Sequence, residues 1–233
     1  MKRKVSIILP TLNEEQNINL ITNEINLKLK QEFELIFVDD NSNDGTQYKI
    51  LELKKRYKNI KSIFRKERNL STAFLDGLKV ADGEYVVLMD SDLQHDPINI
   101  EKALSILSKN EIDIVIGSRF LNGSKNYTHS LKSRFRLRLS KLFIYLFNLI
   151  FKTNLSDPLS GFFASKRLIL LNKDHLLFKK GFKIVLDFYL LLRNKTKISE
   201  IPISLNKRNS GSSKITFKIL LLIIKQVLFY LKK

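Results

Sequence analysis

Apolar and polar positions alternate along the first half of the chain in a repeating scheme. "KVSIILP" is a short β-favouring run, and a polar turn after it leads into a helix-like stretch from about Glu14 to Lys30. "FELIFVDD" repeats the scheme, with the turn "NSNDGT" and a helix through Tyr57. "IKSIFR" reads as a third strand, followed by the helix "STAFLDGLKVA". "EYVVLMD" is a fourth, after which Pro97 opens a helix at its first turn. "DIVIGSR" is the fifth. Short apolar strands separated by helices predict an α/β fold, a mostly parallel sheet with helices on both faces.

Three of these strands end in polar groups. "SIILP" runs into Thr11, Asn13 and Glu14, "LIFV" into Asp39 and Asp40, and "VVLM" into Asp90 and Asp92. In a parallel sheet these groups gather along one edge, where such folds bind their ligands. The stretch "DSDLQ" sharpens the expectation. Two carboxylates one residue apart can share a divalent cation, Gln94 can add an amide oxygen, and Mg²⁺ or Mn²⁺ suits such an oxygen-rich, partly hydrated site.

From Tyr127 the texture changes. "THSLKSRFRLRLSKLFIYLFNLIF" begins basic and becomes apolar. Arg134, Arg136 and Arg138 alternate as in a strand, yet Arg134 and Arg138 also share a helical face. The apolar block from Leu142 to Phe151 is long for a strand and favours the helix. It is shorter than the ~20 residues that span a bilayer. A helix at the lipid headgroup boundary and a core helix with a charged end both fit it. "ITFKILLLIIKQVLFYLKK" is a second apolar helix, interrupted by Lys218, Lys225 and Gln226. The expected division is an α/β domain over 1–214 and a membrane- or partner-associated helix over 215–233.

Composition adds limits. Hydrophobic residues are 44% of the 233, enough for a sizeable core, and cysteine is absent, which excludes thiolate metal sites and disulfides. The first apolar run, broken by Pro10, is too short for a signal peptide. A formal charge of +18 points to a polyanionic partner or to a general lysine bias. No nucleic-acid-binding signature accompanies it, so phosphorylated substrates and anionic lipid are the expected partners. His95, His129 and His175 have no metal-ligand spacing and read as surface residues.

The segments "SIILPTLNEEQNI", "LIFVDDNSNDGT", "GEYVVLMDSDLQHDP", "IVIGSRF", "DPLSGFFASKR" and "EIPISLNKRNSGSSK" follow one another over about Val5 to Lys214. As an ordered set they resemble the dolichol-phosphate mannose synthase-like polyprenyl-phosphate glycosyltransferases, inverting family-two enzymes of the GT-A fold. The resemblance implies transfer of mannose or glucose from GDP-mannose or UDP-glucose to a polyprenyl phosphate, with Mg²⁺ or Mn²⁺, at the cytoplasmic face of a membrane. A small membrane-anchoring partner is a further expectation, as is a different saccharide or lipid acceptor within the same family.

By position, Pro10, Leu12 and Glu14 are then expected at the donor nucleotide, with Val38 and Asp40 beside base and ribose. Asp90, Ser91, Asp92 and Gln94 are expected at the metal and diphosphate. Arg119 is expected to face the phosphates, with Arg208 and Lys214 closing over them; with Asp92 these form the catalytic set. Arg134 and Arg138 fall near the lipid phosphate. Asp157 is open between an acceptor-side role and a turn carboxylate before Pro158. Leu12 stands where the family often has tyrosine, and Lys207 where an acidic residue usually precedes the arginine. Processive polysaccharide synthases need a tryptophan on the acceptor side, and this chain has none.

Overall fold

The structure is a computed structural model. It describes residues 4–124, 131–178, 183–206 and 217–232, with backbone alone at 131–136, 174 and 217–220. The elements β1 (Val5–Thr11), α1 (Glu15–Lys28), β2 (Phe33–Asp39), α2 (Thr46–Arg56), β3 (Ile60–Phe64), α3 (Leu70–Val80), β4 (Tyr85–Leu88), α4 (Ile98–Leu107) and β5 (Ile114–Ser118) follow the predicted alternation. After them come α5 (Leu131–Phe151), β6 (Phe163–Lys166), α6 (Arg167–Leu170), α7 (Ile184–Leu192), β7 (Ile198–Pro202) and α8 (Phe217–Leu231).

The seven strands lie in the order β3-β2-β1-β4-β6-β5-β7. All neighbours are parallel except β6, which runs antiparallel to both β4 and β5. From β1 the chain moves outward to β2 and β3, then returns to place β4 on the other side of β1. That reversal opens a crevice beyond the carboxyl ends of β1 and β4, the place where α/β sheets bind ligands.

Alternate residues of each central strand enter two cores, which is why the strands read as continuous apolar runs. Ile7, Leu9, Leu35, Phe37 and Val87 pack with Ile18, Ile21 and Ile25 of α1 and Ile100, Ala103 and Leu107 of α4. Ile8, Ile36, Val38, Val86 and Leu88 face the other way, against Phe74 and Leu78 of α3 and Val185 and Phe188 of α7. There Phe163 stacks on Phe188 at 5.8 Å, and Phe74 meets both rings edge-on at about 6 Å.

Two strands, β6 and β7, extend the five read from the sequence. "FASK" is four residues, buried because strands flank it on both sides, so no alternation marks it. β7 is an edge strand whose only fully buried residue is Ile201, and it ends at Pro202. The 134–138 stretch is helical, as the long apolar block implied. α5 sets Phe143, Phe147 and Phe151 against the second core and leaves Leu142, Tyr145, Leu146 and Leu149 exposed. α8 docks beside α7, where Gln226 Nε2 donates to the Lys183 carbonyl at 2.9 Å. Among the described residues, no helix is long and apolar enough to cross a membrane.

Candidate active site

The loops leaving β1, β2 and β4 meet at the crevice, and each contains a residue in the left-handed region: Asn13, Asn41 and Leu93, with φ of 54°, 62° and 62°. Asparagine tolerates that conformation, whereas leucine carries a cost of about 1–2 kcal/mol. Leu93 therefore marks a backbone held by its surroundings, inside the "DSDLQ" turn itself.

At the end of β2 the two aspartates divide their tasks. Asp39 is fully buried and accepts from the Ser42 amide at 3.0 Å and Gln47 Nε2 at 2.7 Å, and it also bonds the hydroxyls of Thr11 and Ser42. It shapes the loop. Asp40 accepts from Arg65 Nη1 at 2.6 Å and from the Asn69 amide at 2.8 Å. Burial pushes the Asp40 carboxyl above its ordinary range even though Arg65 opposes it. Arg65, at the end of β3, was missed from the sequence because its partner lies 25 residues away.

Around β1, Pro10 and Leu12 are half-buried at the crevice. Glu14 caps α1; its carboxylate accepts from Asn17 Nδ2 at 2.7 Å, and its amide donates to Thr46 Oγ1 at 2.8 Å. Val38 is fully buried in the second core, one strand position before Asp39.

Beyond β4, Ser91 Oγ donates to the Pro10 carbonyl at 3.1 Å and ties the turn to β1. The Gln94 amide donates to Asp92 Oδ1 at 3.1 Å, fixing the buried Asp92 side chain. Asp90 is more open, with 42% of its side chain exposed. His95 corrects an expectation: it is 3% exposed, with Nε2 3.5 Å from Asp90 Oδ2 and its ring against Phe162. An isolated antiparallel bridge pairs its backbone with Leu205, from a segment far along the chain. Gln94 Nε2 also donates to the Asn206 carbonyl at 3.3 Å, and the Asn206 amide returns a bond to the Gln94 carbonyl at 2.9 Å. Arg208 and Lys214 follow that junction in sequence but lie outside the described residues, as does His129.

Across the crevice, Arg119 directly follows β5. Its Nε and Nη2 donate to the two oxygens of Asp157 at 2.7 and 2.8 Å, and its backbone amide adds a third bond at 3.1 Å. Asp157 is fully buried and supplies the fork that fixes this guanidinium. Burial works against the charge of Arg119, but the Asp157 bonds outweigh it and hold the pKa above its ordinary value. Lys183, at the start of α7, is a basic residue that no motif or spacing marked. Burial pushes its ammonium down, while Asp90 and Asp157 oppose that shift and Arg119 adds to it, so the four charges share one neighbourhood. Arg138 is exposed on α5; Arg134 lies on the same helix where only backbone is described.

Residues 6–172 match the model of the family described as glycosyl transferase family 2. The chain belongs to this family. It is 35% identical over 222 residues to the dolichol-phosphate mannosyltransferase of Pyrococcus furiosus, covering 92% of this chain and 60% of that protein. The Saccharomyces cerevisiae dolichol-phosphate mannosyltransferase is 32% identical over 243 residues, covering 97% and 86%. The chain thus spans less than two thirds of the archaeal relative's length and most of the yeast one. In fold it resembles glucosyl-3-phosphoglycerate synthase from Mycobacterium tuberculosis, solved with Mn²⁺, UDP and glucosyl-3-phosphoglycerate. That match has a TM-score of 0.72 at 20% identity, over 98% of this chain and 78% of that one.

The turn after β4 presents oxygen donors to the crevice, Asp90 and Asp92. Gly161 faces them: a Cβ there would lie 2.6 Å from Asp90 Oδ2 and 3.1 Å from His95 Nε2, so the missing side chain preserves the space Asp90 occupies. No group of three or more histidine, cysteine or acidic side chains that could hold a metal occurs among the described residues. Asp90 and Asp92 are carboxylates of the oxygen-donor kind that hard divalent cations take, with further oxygens needed to complete a shell.

Proposed function

We propose that this family-two glycosyltransferase moves a hexose from a nucleotide-sugar diphosphate to the phosphate of a polyprenyl lipid, with inversion at the anomeric carbon. One observation carries the reading. The paired carboxylates Asp90 and Asp92 stand at the reversal between β1 and β4, with the Asp157-clamped Arg119 across from them. The named activity of relatives aligned over more than nine tenths of the chain supports the lipid-phosphate acceptor.

The acceptor phosphate is anionic near neutral pH, so its oxygen attacks the anomeric carbon without a strong general base. One carbon–oxygen bond forms to the lipid phosphate, and the bond to the nucleoside diphosphate breaks on the opposite face. Asp90 and Asp92, with the Gln94 oxygen, would hold Mg²⁺ or Mn²⁺, which when bound supplies positive charge to the leaving diphosphate. Arg119 is preorganised toward phosphate because its orientation is set before substrate arrives. Arg208 and Lys214, next along from the Asn206 junction, are proposed to close over the diphosphate. Arg134 and Arg138 are proposed to draw in the lipid phosphate. Asp40 and Arg65, with the β1 loop residues Pro10, Leu12 and Glu14, border the place for the nucleoside.

A membrane surface is the proposed setting. α5 carries Arg138 and Lys141 exposed at one end, Lys152 just beyond the other, and an exposed apolar face between them. That arrangement suits a helix lying at an anionic headgroup layer. The 215–233 segment would add a second such helix, because α8 exposes Leu221, Ile224 and Leu228 opposite its docked side.

The test is product identity. The protein is incubated with GDP-mannose or UDP-glucose, a polyprenyl phosphate and Mn²⁺ or a chelator, and the lipid fraction is analysed by mass. A hexosyl-phosphoryl-polyprenol that forms only with the ion is the expected product and names the sugar. Sugar delivered solely to a water-soluble saccharide would overturn the acceptor assignment.

A further inference from the structure

β7 brings one acidic side chain to the rear of the site that the proposed chemistry does not use. Glu200 lies mid-strand, paired in register with Ile116 of β5, and is half-buried. Its carboxylate gathers the loop that follows α5. Oε2 accepts from the Ser156 amide at 2.9 Å. Oε1 accepts from the Ser156 hydroxyl at 2.7 Å, the Ser156 amide at 3.1 Å and the Asp157 amide at 3.2 Å. The Ser156 hydroxyl also lies 2.5 Å from Ser118 Oγ, on the last residue of β5. One carboxylate thus ties the middle of β7, and through the Ser156 hydroxyl the end of β5, to the dipeptide whose second member grips Arg119.

The placement runs against simple electrostatics. Burial pushes the Glu200 carboxyl up, the Ser156 and Asp157 bonds offset part of that, and the nearby Asp157 charge adds to it. A second acid behind Asp157 is unfavourable as a charge, so its value lies in geometry. Few side chains present two acceptor oxygens able to meet two consecutive amides and a hydroxyl. The fold does not depend on it for strand pairing, because β7 is held to β5 by five register pairs of its own backbone.

We propose that Glu200 is a positioning residue for transfer: it fixes the Ser156–Asp157 backbone, and through Asp157 it sets where Arg119 meets phosphate. This rests on the proposed function for its kinetic consequence but not for its structural one. The bonds run from Glu200 to the Ser156–Asp157 amides, then from the Asp157 carboxylate to the guanidinium. Misplacing a phosphate-binding group by about 1 Å can cost on the order of 100-fold in rate.

The test compares wild type with Glu200→Ala, Glu200→Gln and Ser156→Ala. Three readouts are taken: steady-state hexose transfer at varied donor and acceptor, melting temperature, and the Arg119 Nε–H resonance in ¹H–¹⁵N spectra, assigned by its loss in Arg119→Lys. Glu200→Ala is expected to lose about tenfold in kcat/KM, and its Arg119 Nε–H to exchange faster with solvent. Glu200→Gln, keeping an oxygen in the place of Oε1, should recover most of both. Ser156→Ala should fall between. Wild-type kcat/KM and an unchanged Arg119 resonance in Glu200→Ala would overturn the proposal, as would losses that follow melting temperature alone. If Glu200→Ala does not fold, Ser156→Ala decides: wild-type kinetics with an unmoved resonance there would refute the role. If the wild type transfers no hexose to polyprenyl phosphate, the functional reading fails, and the Arg119 resonance still decides the positioning claim.

Discussion

At the amino ends of the strands, Glu34 is 1% exposed and set among donors and cations. It accepts from Ser6 Oγ at 2.6 Å and the Asp82 amide at 2.7 Å, and it pairs with Lys61 Nζ at 2.8 Å. Burial alone would raise its pKa, but Lys61, Ser6 and the Asp82 amide overcome that and hold the carboxyl below its ordinary range. At Asp40, just past the carboxyl end of β2, and at Glu200, midway along the edge strand β7, the balance reverses. Burial dominates at Asp40 and Glu200, whose carboxyls are held above their ordinary range despite Arg65 and Ser156. Asp90 keeps 42% of its side chain open beside a glycine. One edge uses acids to hold the sheet together. At the other, burial works against Asp40 in spite of its Arg65 partner, a perturbation of the kind that clusters at functional sites.

The sharpest way to break this comparison is Asp92→Asn. Transfer should fall by about 100-fold or more while the melting temperature stays near wild type; a variant that transfers normally would remove Asp92 from the site. Glu34→Gln should do the reverse, costing about 2 kcal/mol for the lost ion pair and disturbed buried bonds. That amounts to a fall in melting temperature of about 5 °C, with transfer per folded molecule unchanged. Gly161→Ala should shift Asp90 and raise the Mn²⁺ concentration needed for half-maximal transfer several-fold, read from ion titrations of the rate. An unaltered titration would show that Asp90 does not need that space.

The smallest effect concerns pH, and its sign differs between Glu34 and Glu200. The Glu34 pKa is lowered on folding, so its stabilising contribution is complete above the ordinary value of 4.5 and is lost as pH falls through the folded value. The Glu200 pKa is raised, so its relative stabilisation is complete below 4.5 and is lost as pH rises through the folded value. Melting temperatures of wild type and Glu34→Gln, measured from pH 3 to pH 7 in steps of about half a unit, should converge toward the acid end. A constant gap would contradict the assignment.

The crevice was legible in the sequence because local order carries it. An apolar run followed at once by aspartates appears at β2 and again at β4, and parallel pairing then brings the two ends together. The partners of those residues were not legible. Asp157 could be read as a turn or a site residue because Arg119, the side chain it grips, is 38 residues away. Glu200 sits in an edge strand with little apolar pattern, and β6 is too short and too evenly buried to show alternation. His95 reads as a surface residue among acids because the groups packed near it, Phe162 and the Leu205 bridge, come from far along the chain. Leu12, in place of the family's frequent tyrosine, remains half-buried at the crevice.

The most direct measurement takes Asp92→Asn and Glu34→Gln in parallel. Hexose transfer to polyprenyl phosphate and melting temperature are recorded on the same preparations. The expected result is crossed: Asp92→Asn loses transfer and keeps its stability, and Glu34→Gln loses stability and keeps its transfer. If Asp92→Asn instead melts lower while transferring at the wild-type rate, the carboxyl-end acids are structural and the account is wrong.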